Sequence, residues 1–184
     1  MQIAGICLLL FLTFCSVNCS KIYVIDTSLN VTVEEFKCLK ESYSVFIARI
    51  WNAKGQLDLD GIRNIKNARE AGFENIQGYF FPRAYDGLMS AAYQMETALN
   101  GLDEHGVEID RLWIDIQNDD NEYWLTDKVQ NQNFILELIH LAEERIPKVG
   151  IYANNNAWES VVGTDWKGVS NKLLWYPFFD IQPV

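Results

Sequence analysis

Short apolar runs and longer amphipathic runs alternate along almost the whole sequence, and this alternation constrains the fold more than any other feature. Apolar runs rich in β-branched and aromatic residues predict strands, whereas apolar residues spaced three or four positions apart predict helices. We predict strands at residues 22–26, 44–51, 76–81, 111–117, 148–153 and 173–179. We predict helices at residues 33–41, 61–71, 88–104, 130–145 and 157–162.

This order predicts an α/β domain, because parallel strands joined by right-handed helical crossovers repeat in this way. No linker or low-complexity tract divides the chain, so we predict one domain. An α/β barrel and an open doubly wound sheet both fit the pattern. The turn after the first strand, residues 26–31, lacks the glycines of a dinucleotide-binding motif. His105 and His140 have no nearby partner motif, so we expect no metal and no cofactor.

The N-terminal segment predicts a signal peptide at residues 1–19 and a single domain at residues 20–184. Its apolar run, residues 3–14, has the length of a signal-peptide core and is short for a membrane span. Val17 and Cys19 fit the positions before a cleavage site at Ser20. An uncleaved anchor is the alternative. We therefore expect a secreted protein, extracellular or in a lysosome or gut lumen, that is a monomer without membrane contact.

Cleavage at that site would leave Cys38 as the one cysteine, so no internal disulfide is expected. We predict that Cys38 is buried as a small hydrophobic residue on a helix. Asn30-Val31-Thr32 is a sequon that predicts a glycan on Asn30. The net charge of −10 argues against nucleic acid and anionic membranes as partners.

Polar and aromatic side chains gather at the predicted carboxyl ends of the strands, where parallel β/α folds build their sites. Asp115 and Gln117 project together because residues i and i+2 of a strand face the same way. Asp26 ends the first strand and is expected to join them. The other strand-end residues are Tyr79, Phe81, Tyr152, Trp175, Tyr176 and Asp180. For Phe81 and Trp113 we predict core packing instead.

These residue types favour a sugar ligand. Aromatic rings stack on the apolar faces of sugars, and glycoside hydrolysis uses one protonated and one ionised carboxyl group flanking the bond. Asp115 could supply one carboxyl group, but the second position at the same strand end is the amide Gln117.

The chain resembles the glycoside hydrolase family 25 lysozymes, particularly the short nematode-type members, from Ile22 to Asp180. Five motifs carry the resemblance. Each is weak alone, but their order and spacing together are specific. They are Tyr23-Val-Ile-Asp26, Gln77-Gly-Tyr-Phe-Phe81, Leu112-Trp-Ile-Asp-Ile-Gln117, Gly150-Ile-Tyr152 and Leu174-Trp-Tyr-Pro-Phe-Phe-Asp180. The resemblance implies an irregular parallel (β/α) barrel that cleaves the muramic acid–glucosamine bond of peptidoglycan. It also implies that Asp26, Asp115 and Asp180 line the cleft, and that Tyr79, Tyr152 and Trp175 contact the glycan.

Two departures from the family pattern affect the expected activity. The resemblance implies a catalytic glutamate at position 117, and an amide there cannot supply the proton that a glutamic acid gives. Unless Asp115, Asp119, Asp120 or Glu122 replaces that acid, we expect weak hydrolysis. The family also continues past the last motif. We therefore expect a barrel without the family's last strands, which is a truncated product, a partner-dependent fragment or a barrel closed in some other way.

Two functions remain open from the sequence. The first is a secreted lysozyme acting on bacterial cell walls in defence or digestion. The second is a catalytically silent relative that binds peptidoglycan or regulates without cutting it. A chitinase-like barrel is a third hypothesis. It is disfavoured because the residues that lead up to the Asp115 motif lack the glycines of the chitinase pattern.

Overall fold

The computed structural model describes residues 21–85, 89–118 and 123–177, and a parallel sheet organises this part of the chain. The strands are β1 (Val24–Thr27), β2 (Val45–Asn52), β3 (Gln56–Leu57), β4 (Asn75–Phe80), β5 (Leu112–Asp115), β6 (Val149–Tyr152) and β7 (Leu173–Trp175). The helices are α1 (Val33–Lys40), α2 (Leu59–Glu70), α3 (Ala91–Glu104), α4 (Lys128–Glu143) and α5 (Asn155–Val161). The predicted α/β class is confirmed.

The strand order distinguishes between the two predicted architectures. Neighbouring strands follow the order β1-β2-β4-β5-β6-β7 and each of these pairs is parallel, while β3 is a short antiparallel addition to β2. A doubly wound sheet reverses its order at a switch point, whereas a barrel keeps the order of the sequence. Side chains of β1 and β7, from opposite edges of the sheet, line the same cavity, so the sheet curls. The described chain is a curled half-barrel.

Side-chain caps explain where the helices begin. In each of the five described helices, a side-chain oxygen of the residue before the first turn accepts a backbone N–H, as expected for an N-cap. The capping residues are Thr32, Asp58, Ser90, Asp127 and Asn154. At α1 the cap is a full capping box, in which Glu35 bonds back to the Thr32 backbone N–H at 2.7 Å.

Strand β2 separates the two apolar layers of the molecule, because its successive side chains point to opposite faces. Phe46, for example, faces outward into the main core beneath the helices, where its ring meets the edge of Phe36 at 4.7 Å. Val45 and Ile47 face inward and pack with Trp113 in a smaller cluster inside the curl. Arg49 follows on this inner face at the carboxyl end of the strand, which brings its side chain to the cavity.

Several details differ from the sequence predictions. Strands β5 and β7 end at Asp115 and Trp175, before the predicted ends, and β3 was not predicted. The prediction that Cys38 is buried is wrong: α1 buries Phe36, and Cys38 lies two positions further round the helix and is exposed. Trp113 is buried, as predicted.

The predicted signal peptide, the loop acids Asp119, Asp120 and Glu122, and Asp180 lie outside the described residues. Within the described ranges, none of the helices has the length and apolar character needed to cross a membrane.

Candidate active site

A cavity of about 180 Å³ lies at the carboxyl ends of the parallel strands. Its lining consists of Asp26, Arg49, Tyr79, Phe81, Asp115, Gln117, Tyr152 and Trp175. Six of these are residues that the sequence predicted for the site; Arg49 and Phe81 are not. The strand ends thus bring together residues that lie up to 149 positions apart in the sequence, from Asp26 to Trp175.

The sheet register explains how three neighbouring strands build one wall of the cavity. Asp115 lies beside Tyr152, and Tyr152 lies beside Trp175, in the parallel pairs β5–β6 and β6–β7. Residues at the same level of adjacent strands face the same side of the sheet. The ring of Trp175 meets the edge of Tyr152 at 4.7 Å and that of Trp113 at 5.7 Å, so this wall is aromatic and closely packed.

Asp115 is the most enclosed acid of the cavity, with 5% of its surface exposed. It is the last residue of β5 and follows three buried apolar residues. Burying a carboxylate is costly unless the protein supplies compensating interactions, and such residues are often functional. Its depth at the strand end fits a group that acts on a bound ligand.

Gln117 is fixed at the rim of the cavity by two hydrogen bonds. Its side-chain Nε2 donates to the Tyr152 hydroxyl at 3.1 Å, and its backbone oxygen accepts from Trp124 Nε1 at 2.7 Å. A protonated glutamic acid would also donate a hydrogen bond from this position. The amide therefore reproduces the hydrogen bonding of such an acid but cannot release a proton.

Asp26 occupies the opposite edge of the sheet, at the carboxyl end of β1. The residue as a whole is exposed, but its side chain contributes to the cavity wall. Loss of water around its carboxyl group raises the pKa of Asp26 above its ordinary value of 3.8, while a hydrogen bond with its own backbone lowers it. A raised pKa keeps a carboxyl group protonated to higher pH, which is a property that a general acid needs.

Tyr79 is half-buried between the charged groups of the cavity. Burial raises the pKa of its phenol, Arg49 lowers it, and the charges of Asp115 and Asp26 raise it again. The phenol therefore remains protonated at neutral pH and can donate a hydrogen bond. Ser28, just after β1, also bonds to this side chain.

Arg49 is a residue that sequence reasoning missed. Its Nε donates to Asp58 Oδ2 at 2.5 Å, and Asp58 is buried with 6% of its surface exposed. The available signal was an arginine inside the otherwise apolar run of β2, followed nine positions later by the aspartate that caps α2. An isolated charge in a strand of this kind needs a partner, and it can mark a site.

Phe81 corrects a second expectation. We predicted that it packs in the core, but it is only partly buried and lines the cavity. It follows the end of β4, and its ring contacts Tyr123 at 4.9 Å. Side chains alternate along a strand, so Phe81 lies on the same face as Tyr79, opposite to the buried Phe80, and this face borders the cavity.

A larger groove of about 400 Å³ lies on the other side of β7. Trp158 and Trp166 line it with rings stacked at 5.4 Å, together with Leu174 and Tyr176. Its described lining contains no acidic residue, whereas the smaller cavity contains two. The two acidic residues therefore favour the smaller cavity as the active site. Tyr176, which the sequence placed among the strand-end residues, lies in the groove instead.

A curled parallel α/β sheet with carboxyl groups and aromatic rings at its strand ends has the architecture of a barrel-type glycoside hydrolase domain. The family model described as lysozyme-like protein 1 matches residues 17–181. The chain belongs to this lysozyme-like family, of the glycoside hydrolase family 25 type, which confirms the resemblance found in the sequence.

Individual relatives agree with this assignment. The chain is 36% identical to lysozyme-like protein 5 of Caenorhabditis elegans, over 92% of this chain and 78% of that protein. It is 32% identical to the probable GH family 25 lysozyme 2 of Dictyostelium discoideum, over 89% of this chain and 75% of the relative. The modular autolysin LytC of Streptococcus pneumoniae, solved with a synthetic peptidoglycan ligand, shares the fold: the TM-score is 0.60 at 14% identity, over 74% of this chain and 33% of LytC.

Proposed function

We propose that this protein is a secreted, monomeric lysozyme-like protein that binds the glycan of bacterial peptidoglycan at the Asp26–Asp115–Gln117 cavity and hydrolyses it weakly. The observation that carries the proposal is the convergence of two acids and the Tyr152-bonded Gln117 on one aromatic-walled cavity at the strand ends. Family membership supports a muramidase-type activity, and the peptidoglycan ligand of LytC supports the choice of glycan.

Gln117 is the reason for proposing weak hydrolysis. A positioned general acid contributes typically about 10²–10⁴-fold to the rate of a reaction. The hydrogen bond from Gln117 to Tyr152 holds the amide at the cavity rim, where the resemblance implies a glutamate. Binding should survive this change better than catalysis, because an amide retains the hydrogen bond and loses only the transferable proton.

A catalytically silent, peptidoglycan-binding or regulatory protein is the second candidate, and the same hydrogen bond favours it. If Gln117 removes the acid without replacement, the cavity holds an intact glycan and releases it uncut. Defence against bacteria and digestion of them are both compatible with a secreted protein of this kind. The exposure of Asn30 within its sequon fits a glycosylated, secreted chain.

Two assays on the same preparation test the proposal. Sedimentation with insoluble peptidoglycan measures binding, and the fall in turbidity of a bacterial cell-wall suspension measures hydrolysis. We expect the wild-type protein to co-sediment and to clear walls slowly, and Asp115→Asn to weaken both. Asp110→Asn is the matched control, since Asp110 lies before β5 at the other end of the sheet. Failure of the wild-type protein to co-sediment would refute the proposal, whereas binding without any clearing would favour the silent candidate.

A further inference from the structure

Arg49 is held at the cavity by a support that begins in the next helix. Asp58 is the N-cap of α2, and its two carboxyl oxygens have different partners. Oδ1 accepts from the backbone N–H groups of Asp60 and Gly61, both at 3.1 Å, while Oδ2 accepts from Arg49 Nε at 2.5 Å. One buried carboxylate therefore caps the helix and fixes the guanidinium group at the same time.

Gly61 makes this geometry achievable. A Cβ atom at this position would collide with the backbone carbonyl of Arg49, so the first turn of α2 lies directly against β2. The absence of a side chain brings the N-terminus of the helix close enough for Asp58 to reach Arg49. The local sequence Asp58-Leu-Asp-Gly61 thus builds a fixed support behind the cavity.

Arg49 also lies beside Tyr79. The two residues are partners in the parallel register of β2 and β4, and both line the cavity. The guanidinium group forms a side-chain hydrogen bond with the phenol, and its charge lowers the pKa of Tyr79, which burial raises. Arginine has five N–H donors in a planar arrangement, and the bond to Asp58 uses the one on Nε. The guanidinium N–H groups that bond to neither Asp58 nor Tyr79, together with the phenol O–H, are thus two adjacent kinds of hydrogen-bond donor on the same wall as Asp26.

We propose that Arg49 and Tyr79 form a two-donor site that binds an oxygen acceptor of the glycan, a carbonyl or a carboxylate, and that Asp58 is the positioning residue of this site. The inference rests on the proposed function, because it names the group of the glycan that the cavity recognises. Acetamido carbonyls occur in all N-acetylated glycans, whereas a lactyl carboxylate or its amide occurs only where muramic acid is present.

Asp58→Asn is the variant that isolates the positioning role. An asparagine keeps one side-chain oxygen and caps helices about as well as aspartate, so α2 should retain its N-cap. The remaining amide nitrogen cannot accept the Arg49 bond, so the guanidinium is released. Asp127→Asn is the matched control, because Asp127 caps α4 in the same way through Oδ1 and lies outside the cavity. Arg49→Lys is a second variant that keeps the charge but removes the planar group of donors.

The first readout does not depend on any glycan. The pKa of Tyr79 is measured by NMR of protein carrying ¹³C-labelled tyrosine, with the signal assigned through Tyr79→Phe. We expect the pKa of Tyr79 to rise in Asp58→Asn, because the Arg49 charge that lowers it moves away, and to stay unchanged in Asp127→Asn. An unchanged pKa in both variants would show that Asp58 does not position Arg49 against Tyr79.

The second readout is calorimetric affinity for two soluble ligands, a glucosamine–muramic acid tetrasaccharide and a chitooligosaccharide of the same length. We expect Asp58→Asn and Arg49→Lys each to lose roughly tenfold or more in affinity, as hydrogen bonds to charged groups predict. If the variants lose affinity for both ligands, the acceptor is an acetamido carbonyl. If they lose affinity for the muramic acid ligand alone, the acceptor is the lactyl group. Wild-type affinity in both variants overturns the two-donor site. If the wild-type protein binds neither ligand while the Tyr79 pKa shifts as expected, the proposed function fails and the positioning by Asp58 stands.

Discussion

The two ends of the parallel sheet use charged residues in different ways. At the amino end, arginines at the helix ends bind acids and backbone carbonyls: Arg69 lies 3.7 Å from Asp110 and donates to the Glu74 carbonyl at 2.6 Å, and Arg145 pairs with Asp103. At the carboxyl end, the basic residue in the described cavity lining is Arg49, and it forms an ion pair with Asp58. Charges at the amino end connect separate parts of the chain, whereas the acids Asp26 and Asp115 at the carboxyl end line a cavity.

This difference follows from the geometry of β/α folds. The loops after the strands vary without disturbing the sheet, so function accumulates there, while the opposite face contributes to stability. In this chain aspartate is used both for stability, at the amino end, and for the cavity, at the carboxyl end. Asp110 Oδ2 accepts the backbone N–H of Ile76 at 2.9 Å, which ties the start of β4 to the segment before β5. Asp115, five positions later, lies on the wall of the cavity.

The largest expected effect comes from restoring an acid at the carboxyl end. We predict that Gln117→Glu increases cell-wall clearing by about 10²-fold or more, because the new carboxyl group would share the cavity with Asp115 and could be held protonated by its charge. The assay is turbidity of a cell-wall suspension from pH 4 to pH 7, a range that starts near ordinary carboxyl pKa values and extends upward. Gln130→Glu, which adds the same charge at an exposed position of α4, is the control and should leave the clearing rate unchanged. Clearing by the wild-type protein that already equals the Gln117→Glu rate would show that position 117 does not limit the chemistry.

A smaller effect, on stability alone, is expected at the amino end. We predict that Asp110→Ala lowers the free energy of unfolding by about 1–3 kcal/mol, because the partly buried N–H of Ile76 loses its acceptor. Urea denaturation followed by circular dichroism measures the change. Peptidoglycan binding of the folded variant should equal that of the wild-type protein. A variant that is stable but no longer binds would contradict the division of roles between the two ends.

The sequence predicted the strand-end cavity better than it predicted the residues behind it. Asp26, Asp115 and Tyr152 were found because each ends an apolar run, and the parallel topology brings such ends together. Arg49 was missed because its role depends on Asp58, which belongs to the following helix, and on the close approach at Gly61. No periodicity within one strand contains that information.

The fold was predictable for a related reason. Period and run length identified the strands and helices, but a local pattern does not determine how neighbouring strands are ordered, so a barrel and a wound sheet remained open. The errors at Phe81 and Cys38 have the same origin. Both predictions took hydrophobic character as a sign of burial. Phe81 instead lies on the cavity face of its strand, with Tyr79, and Cys38 lies on the exposed side of α1.

The smallest expected effect is a pH-dependent stabilisation at Asp26. The folded protein holds the pKa of this carboxyl group above its ordinary value of 3.8, so the ionised form disfavours folding. The penalty is absent below the unfolded pKa, grows as pH rises through the folded pKa and is constant above it. We predict that Asp26→Asn unfolds at a higher temperature than the wild-type protein at pH 7, and that the two melting temperatures converge below about pH 3.8. A variant that is less stable at pH 7 would show that the Asp26 carboxylate is stabilised in the fold.

The location of the glycan is the central claim, and indole NMR signals test it most directly. The chain has six tryptophans, of which Trp113 and Trp175 pack at the cavity wall and Trp158 and Trp166 line the larger groove. Titration with a soluble glucosamine–muramic acid tetrasaccharide should shift the indole N–H signal of Trp175 and, through their contact, that of Trp113. The Trp158 and Trp166 signals should stay in place. Saturable shifts confined to Trp158 and Trp166 would move the glycan to the groove and contradict the assignment of the Asp26–Asp115–Gln117 cavity as the active site.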